Sequence, residues 1–162
     1  PVQKKDVLGT TSVDIFDEDG NPLTDDDRRI DGGKASNGNY DGTWEAFRSS
    51  LQAAMNGLKM ASGRDTSIVQ RHHLISNKHS SKTDEYKEII KEYGYSLNDD
   101  SNLVYLPGHR GRHTNAYHDF IATAITELDS IAAGNLSVFI EGMEELGRFI
   151  LKYPWIPYAK YK

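Results

Sequence analysis

All six histidines of this 162-residue chain fall between residues 72 and 118, and there is no cysteine. Two of them, His72 and His73, are adjacent. Two more, His109 and His113, stand four residues apart. Imidazole both transfers protons near neutral pH and binds metal ions. A fold that uses this cluster must therefore bring its carrier segments together. The lack of cysteine excludes a disulfide framework, a thiol nucleophile and a cysteine-type zinc site. Charge divides along the same lines. Residues 1–63 hold 7 Lys/Arg against 11 Asp/Glu, residues 64–118 hold 8 against 7, and residues 119–162 hold 4 against 6. A net charge of −5 argues against a broad basic surface for nucleic acid. The near-neutral middle still allows binding through a few arginines.

The rest of the chain reads as one domain over 1–162. Residues 1–42 are acidic and rich in Asp, Gly, Asn and Thr, so they are expected to be irregular, with a short strand at Val13–Phe16. Thr43 is a plausible cap for a helix over about 44–61, with Phe47, Leu51, Met55 and Leu58 on its apolar face and Gly63 at its end. Residues 67–75 read as a strand. Thr83 caps a helix over 84–93, stopped by Gly94. Asp99–Asn102 is a turn, and Leu103–Leu106 a short strand closed by Pro107. A helix is expected from the His109–His113 region to about Ala133, with Tyr117, Ile121, Ala124, Leu128 and Ile131 inward. A last helix spans 137–153, and the aromatic tail after it is expected to pack back on the body. No apolar run approaches the ~20 residues that span a bilayer, so no membrane insertion is expected.

The chemistry lies in the order of the pieces. Neighbours on a strand point to opposite faces, so His72 and His73 can do different jobs, one holding a metal and one facing a water. Residues four apart on a helix share a face, so His109 and His113 can share an ion if the helix has begun by residue 109. His72, His109 and His113 then make a three-nitrogen site with an open position, as a catalytic metal requires. A helix starting later, at Arg112 or Thr114, leaves His113 alone or His118 as the helix ligand. Otherwise His118 is a supporting polar or surface residue. Arg71, Arg110 and Arg112 flank the site and are candidate phosphate contacts. The His-Glu-x-x-His pattern of a metalloprotease is absent. The alternative reading is a non-catalytic binding module stabilised by zinc on histidine.

Arg71-His72-His73-Leu74-Ile75, Asn102-Leu103-Val104-Tyr105-Leu106-Pro107 and His109-Arg110-Gly111-Arg112-His113, followed by Tyr117-His118, resemble the AHH-type branch of the HNH/endonuclease VII nuclease superfamily over about residues 68–125. Arg71 stands where that branch has its alanine. The resemblance implies an α+β, mainly helical domain around a ββα-metal (His-Me finger) core at 67–133, with a helical insertion. It implies one divalent ion, with magnesium, manganese, nickel and zinc all open. His72, His109 and His113 would be ligands, His73 the general base, and Asn102 the asparagine that holds the loop presenting His73. The implied activity is phosphodiester hydrolysis of nucleic acid, DNA more than RNA, with low sequence specificity. This branch is similar to the C-terminal toxin domains of bacterial polymorphic toxins. That implies delivery into a target-cell cytoplasm by a carrier polypeptide or secretion system, which the missing signal-peptide pattern fits. It also implies a cognate immunity protein as partner.

Overall fold

The computed structural model describes residues 14–16, 42–60, 68–76, 84–108 and 113–162. In chain order these form β1 (Asp14–Phe16), α1 (Gly42–Asn56), β2 (Leu58–Lys59), β3 (Ile68–His73), α2 (Asp84–Tyr93), a 3-10 turn (Asp100–Asn102), β4 (Leu103–Pro107), α3 (Asn115–Ala132), α4 (Leu136–Lys152), a second 3-10 turn (Ile156–Tyr158) and β5 (Lys160–Tyr161). The α+β class with a β3–β4–α3 centre and α2 inserted between the strands is as expected. Gly63, Thr83 and most of residues 1–41 lie outside the described residues.

β3 is the middle strand of a three-stranded sheet. On one side β4 runs antiparallel to it, with His72 opposite Val104 and His73 opposite Leu103. On the other side β1 is parallel, with Asp14 opposite Ile68 and Phe16 opposite Gln70. The short strand expected at Val13–Phe16 is thus present over Asp14–Phe16, where it supplies an edge of the sheet. Burial on both sides of the hairpin explains why Val69, Val104 and Leu106 are wholly enclosed: a strand covered on both faces stabilises by excluding apolar side chains from water.

The helices cover this hairpin. α3 and α4 form an antiparallel pair joined by Ala133 and Gly134, both at positive φ, with Asn135 capping α4 through Val138 N. Of the inward set read from the period of α3, Tyr117, Ile121, Ala124 and Leu128 are buried, and Ile131 is half-buried against the core. α4 presses on the hairpin through Gly147, where an added Cβ would lie 3.1 Å from Val104 and 3.7 Å from Leu74. α1 lies against both helices, burying Trp44, Phe47, Leu51 and Met55. Its link to α4 includes Glu145, a buried carboxylate held by Arg48 at 2.7 Å and Arg148 at 2.9 Å. Two guanidiniums offset the desolvation that a lone buried carboxylate would suffer.

Two boundaries differ from expectation. α1 begins at Gly42 and ends at Asn56, so Thr43 lies inside the helix and Leu58 falls beyond it. Gly57 breaks the run there, since glycine is poor in a helix interior, and residues 58–59 pair with Lys160–Tyr161 instead. α3 begins at Asn115, capped by Thr114, several residues later than the histidine spacing implied. The tail does pack back, burying Ile156, Tyr158 and Ala159.

Gly142 on α4 meets α3 so closely that an added Cβ would lie 2.0 Å from Leu128 Cδ1. Gly142→Ala gains about 1 kcal/mol of helix propensity but overpacks a fully enclosed leucine, which costs about 1–3 kcal/mol. The expected outcome is a net loss of stability, seen as a midpoint several degrees lower in a thermal melt.

Candidate active site

β3 ends at His73 inside the protein, and its last polar groups must be met. Asn102 meets them. Its backbone carbonyl accepts from Leu74 N at 2.8 Å. Its side-chain Oδ1 accepts from Ile75 N at 2.8 Å, and Nδ2 donates to Ile75 O at 3.0 Å and Leu97 O at 2.8 Å. Both amide protons go to carbonyls, so the orientation of the amide is settled by its network. Asn102 is wholly buried. The turn that carries it is itself held. Asp99 Oδ1 accepts from Ser101 N and Ser101 Oγ, and Tyr95 donates to Ser101 Oγ at 2.6 Å. Burial pushes the Tyr95 phenol above its ordinary pKa, with the Ser101 contact opposing, so it remains a donor.

The strand pleat sends His72 and His73 opposite ways. His72 is fully enclosed between β3 and α3. Its ring lies 4.3 Å from the ring of His113, edge to face, and 5.6 Å from that of Tyr117. The His113 ring is in turn 5.8 Å from that of His118. His118 is buried, while His113 is half-buried. Arg71 and His73 share the other strand face. His73 is also buried, with Nε2 3.4 Å from Asn98 Oδ1. Arg71 is half-buried, and its enclosed Nε has no hydrogen-bond partner among the described residues.

The start of α3 decides which histidines can meet. Thr114 Oγ1 accepts from Tyr117 N at 3.1 Å and donates to Ala159 O at 2.6 Å, while Thr114 N donates to Pro157 O at 3.2 Å. The C-terminal tail therefore pins the cap. His113 lies before that cap, so a shared helical face for His109 and His113 does not exist; the correction follows from the capping power of Thr114. His113 comes beside His72 from the loop, and His118 enters from the first turn of α3. His109, Arg110 and Arg112 lie outside the described residues.

The donor chemistry fits a divalent ion. Two imidazoles sharing an ion at bonds of ~2.0–2.1 Å have ring centres roughly 5 Å apart, and the 4.3 and 5.8 Å separations bracket that spacing. His72 and His113 form the nearest pair, and His118 is the adjacent third imidazole. Among the described residues no three His, Cys, Asp or Glu side chains are placed so that they could together hold a metal ion. Residue patterns flagged neither Tyr117 nor Asn98 for a polar role. The helical period assigns Tyr117 to an apolar stripe; the usable signal is that a buried tyrosine hydroxyl needs a partner.

Compared with known protein families, residues 51–141 match a family model described as AHH, a nuclease family of the HNH/ENDO VII superfamily with conserved AHH. The match covers more than half of the chain and includes β3, β4 and every histidine. Comparison with curated proteins and with solved structures finds no match.

Asn102→Ala strips partners from the two buried backbone groups of Ile75 and from the partly buried carbonyl of Leu97. An unmet buried hydrogen-bonding group costs about 1–3 kcal/mol, so the variant is expected to lose roughly 3 kcal/mol or more in denaturant unfolding. Asn102→Asp keeps the acceptor for Ile75 N but turns a carboxylate toward two carbonyls. It should be no more stable than the alanine variant at neutral pH.

Proposed function

This chain belongs to the AHH nuclease family of the HNH/ENDO VII superfamily, and we propose that it is a metal-dependent endonuclease whose metal and water-activating histidines are divided between the two faces of β3. The observation that carries the proposal is the placement of His72 beside His113, with His73 and Arg71 on the opposite strand face. His72 and His113 would hold the ion with His109 as the third imidazole, since the described residues alone form no group of three placed to hold a metal. A divalent ion bound there supplies Lewis-acid stabilisation of charge on the phosphate and the leaving 3′-oxygen.

The protein's own groups do the rest. His73 takes the proton of the attacking water. With Nε2–H directed at Asn98 Oδ1, the ring accepts that proton at Nδ1. The Asn102 clamp fixes the backbone just after His73, so the ring does not have to be ordered during the reaction. Arg71 offers a guanidinium to a phosphate on the same face, and its unmet Nε supports that use. Arg110 and Arg112 are further phosphate contacts in this reading. With few cations and a net charge of −5, binding is weak and salt-sensitive. Recognition in this reading runs through phosphates, which carry no sequence information, so sequence specificity is low, and DNA is the favoured substrate.

We further read the domain as a toxic effector of bacterial competition, carried into a target cell and neutralised by a cognate immunity protein. Expression in a bacterial cytoplasm should then arrest growth, and His73→Ala should relieve the arrest.

The decisive experiment incubates the protein with plasmid DNA and with RNA in magnesium, manganese, nickel or zinc, with and without chelator. Cleavage that chelator abolishes is expected. No cleavage with any metal sinks the reading, and a large loss of thermal stability on chelation would then point to a structural zinc module. His73→Ala should lower cleavage by about 10²–10⁴-fold, the usual worth of a positioned base, with metal uptake unchanged by titration calorimetry. Loss of metal uptake in that variant makes His73 a ligand instead. Arg71→Gln should weaken DNA binding and lower the log–log salt slope by about 1.

A further inference from the structure

Tyr117 sits in the first turn of α3 and is wholly buried. Its hydroxyl lies 2.6 Å from Leu74 O and 3.1 Å from His72 Nε2. A phenol has one proton, and a carbonyl can only accept. The shorter contact therefore takes the Tyr117 proton to Leu74 O. What the hydroxyl turns to His72 is a lone pair, so Nε2 must be the donor. The opposite assignment would place two acceptors, Leu74 O and Nε2, around a single proton in a site closed to water.

We propose that Tyr117 is a positioning residue that locks His72 in the Nε2–H tautomer and so makes Nδ1 the nitrogen that binds the metal. The inference rests on His72 being a ligand, as in the proposed function, and adds which atom is used and what selects it. Metal-binding histidines characteristically donate their second ring N–H to an oxygen, which fixes ring orientation and raises ligand basicity. Here that oxygen is a tyrosine hydroxyl anchored on the backbone of residue 74, one residue beyond the His72–His73 pair. The same carbonyl lies on the segment that Asn102 holds through Leu74 N and Ile75. Both histidines are thus referred to one short piece of backbone. Tyr117 is placed in turn by Thr114, which caps its N–H and is tied to the tail at Pro157 and Ala159.

Imidazole nitrogen NMR on the metal-free wild-type protein, at a pH where the ring is neutral, reads the tautomer directly. His72 should show a protonated Nε2 and an unprotonated Nδ1, and zinc should perturb Nδ1. In Tyr117→Phe the single tautomer should become a mixture, and zinc affinity by calorimetry should fall 10–100-fold. A wild-type spectrum with Nδ1 protonated overturns the inference without any variant. So does a folded Tyr117→Phe protein with wild-type tautomer and zinc affinity. Failure of the underlying reading looks different: the wild-type protein then neither takes up metal nor cleaves nucleic acid.

Discussion

A central strand that stops inside a protein leaves backbone groups with no ladder partner, and an unmet buried group is expensive. β3 stops at His73, and Asn102 supplies the missing partners through its carbonyl, its Oδ1 and both protons of Nδ2. Much else follows from this clamp. The hairpin register places His72 and His73 at the end of the strand, and the clamp keeps the chain from fraying just beyond them. It also ties the strand to the Leu97–Ser101 turn, where Asn98 reaches His73.

The second wall of the site is built from the far end of the chain. Thr114 caps α3 while bonded to Pro157 and Ala159, so residues well outside the histidine segment set where the helix begins. That start point puts Tyr117 under Leu74 and His72 and brings His113 beside His72. The family match ends at residue 141, yet the tail beyond it shapes the site. α4 adds rigidity, since Gly147 lets its backbone lie on Val104 and Leu74. The enclosed rings of His72, His73 and Tyr117 are tolerable because each has a polar partner, at Tyr117, Asn98 and Leu74 respectively.

Much of this was readable in the residues. Period and punctuation located α2, α3, α4 and the β3–β4 pair to within a few residues, with Gly94 marking the end of α2 and Pro107 that of β4. The apolar stripe of α3 was legible because burial on one helical face leaves a helical period in the apolar residues. The error at the start of α3 has a physical cause. Histidines four apart are compatible with a helix but do not nucleate one, whereas Thr114 with a free side-chain oxygen does. The early end of α1 was hidden because Leu58 continues the helical period even though it belongs to a strand that pairs with the distant Lys160–Tyr161.

By itself the sequence determined the α+β class, the convergence of the histidine segments, and the two opposite roads taken by His72 and His73, because strand alternation is local geometry. Only the tertiary structure decided which histidine meets which, and which hydroxyl meets His72. Those outcomes depend on hydrogen bonds between groups 27 to 45 residues apart, from Asn102 to Ile75, Tyr117 to Leu74 and Thr114 to Ala159. No spacing rule along the chain carries that information, because each partner is selected by which buried polar groups the folded backbone leaves to be satisfied.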